Sequence, residues 1–111
     1  MAKNGVPKEQ IILLSFDDVA KSQSNWKHHG KLYNKPAKVF ETAFDVYNGC
    51  NIDYRGDDVT ASKLLKILKG DSSVGGKYLK SNEKSKIFFY YADHGAPGMV
   101  AMPFGEPLYA W

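Results

Sequence analysis

The residues best suited to chemistry lie in KIFFYYADHGAPGMVAMP, residues 86–103, where Asp93-His94-Gly95 follows at once on the apolar run Ile87–Tyr91. An imidazole with an unperturbed pKa of about 6.5 can take and return a proton near neutral pH. A glycine directly after it lets a backbone N–H approach a reacting carbonyl, as an oxyanion hole requires. A plain polar turn at a strand end would use the same residues, and spacing leaves the two readings level. Asp93 could orient His94, but neighbours leaving a strand point apart. A supporting role, or that of a turn residue, suits it better than membership of a triad.

Cys50 would be the nucleophile for a base at His94. It lies, however, in a loop between Asn48-Gly49 and NIDYRGDD, with only Arg55 nearby to make its surroundings electropositive. The expectation is a free thiol without a catalytic role, which leaves a base and no nucleophile on this chain. The N-x-C pattern Asn48-Gly49-Cys50 is a weak glycosylation acceptor. Adjacent His28 and His29 do not converge on one ion, and no Cys or carboxylate stands at a supporting spacing. They read as a solvated loop, and no metal or cofactor is expected. Asp17-Asp18 reads as a strand stop and turn cap rather than a cation site.

These residues need a scaffold. QIILLSF, Gln10–Phe16, is a near-continuous apolar run that suits a strand covered on both faces, as in a parallel sheet. Ala20 to Asp58 is polar and punctuated by Asn25, Gly30, Asn34, Pro36, Asn48-Gly49 and Arg55-Gly56, long for a structureless connection. Within it AKVFETAFDVY has a weak strand-forming composition. In DVTASKLLKILKG, Thr60 reads as an N-cap and Gly70 as a stop. Leu64, Leu65 and Leu68 should face the sheet, with Lys63, Lys66 and Lys69 in water. Ile87–Tyr91 reads as a second buried strand and GMVAMPF as a short extended segment closed by Gly105 and Pro107. Strand, long loop, helix, strand implies a right-handed βαβ crossover, and a catalytic residue past a strand's carboxyl end fits an α/β site.

Bulk properties agree with one globular domain. Of 111 residues, 43% are hydrophobic and 14% aromatic, which argues against disorder. The net charge of +3 comes from 15 basic and 12 acidic residues that are interspersed, which argues against a nucleic-acid partner. No run approaches the roughly 18 apolar residues of a membrane span, and no targeting signal opens the chain. A single cysteine excludes an internal disulfide.

FFYYADHGAPGMVAMP resembles the segment around the catalytic histidine of legumain-type asparaginyl endopeptidases, cysteine proteases also called hemoglobinases. NGVPKEQIILLSFDDVA, GCNIDYRGDDVTASKLLKILKGD and GGKYLKSNEKSKIFFYYADHG resemble further family segments in order, so the likeness covers nearly the whole chain. It is weakest over Trp26 to Ala43. The resemblance implies a caspase-like α/β fold, a mainly parallel sheet flanked by helices. It makes His94 the catalytic histidine, Gly95 the oxyanion-hole glycine and Asp93 the acidic residue before them. It also implies that residues 1–111 form an incomplete, interior part of the peptidase domain. The first strand would precede Met1, and the nucleophilic cysteine would follow Trp111 in a Glu-Ala-Cys-like motif; Cys50 matches no functional position.

The expected activity is thus hydrolysis of peptide bonds after Asn in peptide or protein substrates, in a lysosomal, vacuolar or secreted setting, with the isolated chain inactive. A GPI-anchor transamidase-like catalytic subunit shares the fold and dyad, but Asp rather than Gly before His94-Gly95 favours the endopeptidase. A non-catalytic, degenerate member is the remaining alternative. An open frame running on to Glu-Ala-Cys would separate it from the protease. In caspase-like sheets the first strand lies between those at Gln10–Phe16 and Ile87–Tyr91. Two unpaired edges follow, and with them low stability and self-association.

Overall fold

The computed structural model describes residues 1–35 and 43–110. It comprises two compact units, one built from Met1–Phe16 and Ile52–Trp111, the other from Asp17–Asn51.

In the first unit, strand β1 (Leu14–Ser15) pairs in parallel with β2 (Tyr54–Arg55), Leu14 opposite Tyr54 and Ser15 opposite Arg55. The apolar run therefore does enter a parallel pair, but over two residues. Lys8–Gln10 is a 3-10 turn, and residues 11–15 are half-buried rather than covered on both faces. Ile12 and Leu14, two apart and so on one face, pack against the core cluster of Tyr54, Ile67 and Val74. Asp53 ties this corner together. One of its carboxylate oxygens accepts the Leu13 N–H at 2.9 Å, and the other lies 3.0 Å from Lys77 Nζ. Lys77 also donates to the carbonyls of Lys8 and Ile11, and its own carbonyl accepts the Tyr54 hydroxyl at 2.5 Å. Every polar group in this cluster that leaves water gains a partner, which is the condition for burying it cheaply.

Helix α1 (Ala61–Leu68) starts where expected, with Thr60 Oγ1 accepting the Lys63 N–H at 3.1 Å. It stops before Gly70, whose φ of 72° is left-handed and whose Cα faces the Leu79 carbonyl so closely that a Cβ would sit 2.8 Å from it. The buried stripe differs from the expected Leu64, Leu65 and Leu68. Leu64 and Ile67 are buried, one turn apart, while Leu65 and Leu68 are exposed. Lys66 and Lys69 reach water. Lys63 does not remain a solvated lysine: its Nζ lies 2.9 Å from Asp58 Oδ1 and 5.7 Å from the centroid of the Tyr54 ring, so its stem covers apolar surface.

Downstream, β3 (Gly95–Ala96), β4 (Met99–Val100) and β5 (Leu108–Tyr109) form an antiparallel sheet in the order β3-β4-β5. GMVAMPF is thus extended at its start, as expected. Ile87–Tyr91 is not the expected buried strand. These residues belong to no helix or strand, and Phe88 and Tyr90 are 74% and 76% exposed. A large mainly parallel sheet is therefore replaced, among the described residues, by one parallel pair and one small antiparallel sheet, with a single α-helix and short 3-10 turns.

In the second unit, Ala20 is buried, and its carbonyl accepts the Gly30 N–H and the Asn25 amide. The same amide reaches the carbonyls of His28 and Lys31, closing the loop around the 3-10 segment Gln23–His28. The stretch AKVFETAFDVY lies largely outside the described residues; 43–47 form no strand. There Asp45 accepts the N–H groups of Leu32 and Tyr47, each at 3.0 Å, and the first of these leads in holding its carboxyl below the usual aspartate range.

Candidate active site

His94 stands at the root of a hairpin. Pro97-Gly98 supplies its two-residue turn, with Gly98 at φ 77°, and Pro then Gly are the residues a type II turn selects at those positions. Gly95 faces Val100 and Ala96 faces Met99. The Ala101 N–H donates to the His94 carbonyl at 2.9 Å. In an antiparallel ladder, hydrogen-bonded and open pairs alternate. Gly95–Val100 is therefore an open pair, flanked by bonded pairs at His94–Ala101 and Ala96–Met99. The Gly95 N–H consequently points away from β4, and β3 is an edge strand.

Local packing gives little reason for glycine at this position. Its φ is not left-handed, and a Cβ would meet the Met99 carbonyl at 3.4 Å, an ordinary contact.

Asp93, His94 and Gly95 are all exposed. The Asp93 carboxylate turns onto the backbone, accepting the His94 N–H at 2.7 Å, so it braces the main chain rather than the imidazole. Tyr91 was not singled out by its position in an apolar run, yet its hydroxyl donates to the Ala101 carbonyl. Burial, with the Asp93 charge adding to it, pushes the Tyr91 phenol above its usual pKa. Ala101 thereby links the Tyr91 side chain and the His94 backbone through its two main-chain groups. The Pro-Gly turn was the sequence signal that could have located this hairpin.

The remaining candidates lie elsewhere in the chain. Cys50 is exposed in the Asp17–Asn51 unit, and its thiol donates to the Val46 carbonyl at 3.2 Å. The His28 ring packs edge-on against Tyr33, centroids 5.3 Å apart. Asp17 adopts a left-handed φ of 63° just after β1, a conformation that aspartate tolerates and that turns the chain out of the strand. Among the described residues, no group of three or more His, Cys, Asp or Glu could hold a metal ion, and no helix is long and apolar enough to cross a membrane.

The sequence profile of the Peptidase C13 family matches residues 1–111. The chain belongs to the peptidase C13 family. It is 44% identical over 110 residues to the hemoglobinase of Schistosoma mansoni, covering 99% of this chain and 24% of that protein. It is 40% identical over 106 residues to the legumain of Mus musculus, covering 91% and 23%. Against the vacuolar-processing enzyme of Glycine max it is 37% identical over 114 residues, covering 99% and 22%. The chain thus spans about a quarter of the length of the curated relatives it matches. Within this C13 segment, the geometry offers one imidazole in water and, beside it, one backbone N–H on an open sheet edge.

Proposed function

We propose that residues 1–111 carry the histidine half of a cysteine-endopeptidase site that hydrolyses peptide bonds after Asn. The observation behind this reading is the open pair at Gly95, which turns an N–H outward next to His94. His94 takes the proton of a thiol supplied by sequence outside this segment, and the thiolate attacks the carbonyl carbon of the scissile bond. The Gly95 N–H donates to the oxyanion of the tetrahedral intermediate. His94 then returns the proton to the leaving amine as the C–N bond breaks. It next deprotonates the water that releases the acyl group. Asp93 supports the site by holding the His94 backbone. A glycine that packing does not explain fits a position where substrate approaches the main chain.

Membership of the C13 family and the names of the relatives support protein substrates and a lysosomal or vacuolar setting; cleavage after Asn, and a secreted setting as the alternative, belong to the proposal itself. Cys50, bonded within its own turn, is not the nucleophile, and the isolated chain is inactive. The test is a chimera in which residues 1–111 replace the matching segment of a full-length legumain, with folding checked by circular dichroism. The chimera is expected to cleave an Asn-containing fluorogenic peptide, and His94→Ala to lower kcat/KM by about 10²–10⁴-fold. A folded chimera whose His94→Ala variant cleaves at the parental rate contradicts the assignment. Turnover by the isolated chain that disappears in Cys50→Ala contradicts the role given to Cys50.

A further inference from the structure

The ladder of the β3–β4 hairpin ends half made. His94 and Ala101 stand where an antiparallel pair exchanges two hydrogen bonds, one in each direction. The Ala101 N–H donates to the His94 carbonyl at 2.9 Å. Among the described residues the return bond is absent, and a side chain holds each of its two groups instead. The His94 N–H donates to the Asp93 carboxylate at 2.7 Å, and the Ala101 carbonyl accepts the Tyr91 hydroxyl. Two side chains thus stop the ladder one bond short, directly beside the outward Gly95 N–H. Tyr91 is half-buried, whereas residues 81–90 before it are exposed. Its acceptor is well anchored, because Ala101 follows β4, the strand paired on both sides by β3 and β5. Burial, with the Asp93 charge adding to it, keeps the phenol protonated, and so a donor, well beyond neutral pH.

We infer that Tyr91 is a positioning residue for His94: its hydroxyl occupies the Ala101 carbonyl, keeps the His94–Ala101 pair half open, and so fixes the backbone that carries His94 and Gly95. This rests on the reading of His94 as the base and the Gly95 N–H as the oxyanion donor. Without the hydroxyl, the Ala101 carbonyl is an unmet acceptor opposite the His94 N–H, and backbone groups so placed pair. Closing the pair takes the N–H from Asp93 and draws residues 92–94 onto β4. The Gly95–Val100 and Ala96–Met99 pairs beyond it stay in register. The imidazole therefore moves relative to the Gly95 N–H. Base and oxyanion donor must serve one carbonyl group, so a misplacement on the order of 1 Å here slows the chemical step about tenfold to a hundredfold. Binding of the rest of the substrate does not depend on this pair, so the loss falls on kcat rather than KM.

Tyr91→Phe, which removes only the hydroxyl, tests this in two measurements. The first is made by NMR on the intact 111-residue chain and needs no chimera. The scalar coupling across a hydrogen bond, from the His94 amide nitrogen to the Ala101 carbonyl carbon, should be absent from the parent and present in the variant. Tyr90→Phe, at the exposed neighbour, should match the parent. The second uses the full-length legumain chimera. There Tyr91→Phe should lower kcat about tenfold to a hundredfold and leave KM within about twofold, while Tyr90→Phe keeps the parental kcat. A coupling already present in the parent, or missing from Tyr91→Phe, overturns the half-open pair. A Tyr91→Phe chimera with the parental kcat, or with its loss in KM, overturns the positioning role, and the half-site reading stands if His94→Ala is still impaired. A His94→Ala chimera at the parental rate overturns that reading and the positioning role with it.

Discussion

The segment from Asp53 to Leu79 and the segment from Lys86 to Ala101 differ in what the chain provides for them. In the first, Tyr54, Ile67 and Val74 form a buried cluster, Leu64 is buried as well, the Asp53–Lys77 pair reaches back to residues 8–13, and Thr60 caps α1. In the second, a run just as apolar is left in water, and it leads into a histidine and a glycine N–H that are also exposed. The first segment meets its hydrophobic and hydrogen-bonding demands from within the chain. The second presents groups that only a substrate or another strand could engage. Stability therefore resides in the first, and the second is where the proposed reading places the chemistry.

The largest effect that would sharpen this contrast is a matched pair of truncations. Ile67→Ala empties a buried position and should cost about 2–5 kcal/mol. Phe88→Ser, in a dilute solution, should stay within about 0.5 kcal/mol. Urea unfolding of both variants would break the comparison if Phe88→Ser proved as costly as Ile67→Ala. A smaller loss is expected from Gly76→Ala. A Cβ there would lie 2.7 Å from the Tyr54 hydroxyl oxygen and 3.0 Å from its ring, displacing the tyrosine whose hydroxyl binds the Lys77 carbonyl. Such overpacking costs about 1–3 kcal/mol. A Gly95→Ala chain, whose Cβ meets only an ordinary contact, should unfold close to the parent midpoint.

The smallest effect is on acid stability. The Asp71 carboxyl caps the 3-10 turn Ser72–Val74, and hydrogen bonds from the Ser73 side chain and backbone lower its pKa from the usual 3.8. A folded-state pKa below the unfolded one contributes stability that is fully present above the unfolded value and is lost as pH falls through the folded value. Asp71→Asn should therefore be less stable than the parent near neutrality and should approach it below about pH 3.8. Parallel stability curves for the two chains across that range would remove Asp71 from the account.

Local signals were legible where their partners are local. Thr60 and Gly70 bound α1 as read, because a cap and a left-handed stop act within one turn. The Leu64/Leu65/Leu68 stripe differs from the buried one because helical spacing defines several adjacent stripes, and only tertiary packing selects Ile67 to lie with Tyr54 and Val74 and buries Leu64 beside it on the helix. Helical spacing puts Lys63 in water because it does not show the Tyr54 ring or the Asp58 carboxylate beside it. The error at Ile87–Tyr91 has a different origin. An apolar run states a demand for burial without naming what meets it, and no described strand pairs with this one. At the site, residue types and resemblance singled out His94, Gly95 and Asp93. The hairpin register that opens the Gly95 N–H follows from the local Pro97-Gly98 turn, whereas the Tyr91–Ala101 clamp spans a ten-residue separation that no short motif encodes.

Residue-resolved amide hydrogen exchange in dilute, monomeric solution tests most directly the central claim that a packed core carries an open half-site. Leu64, Lys69 and Leu79, whose N–H groups bond to Thr60, Leu65 and Ile67, should be the slowest to exchange. The amides of residues 87–91 and of Gly95 should exchange at close to the rate of an unprotected chain. Protection at Gly95 and across 87–91 equal to that at Leu79 would contradict it.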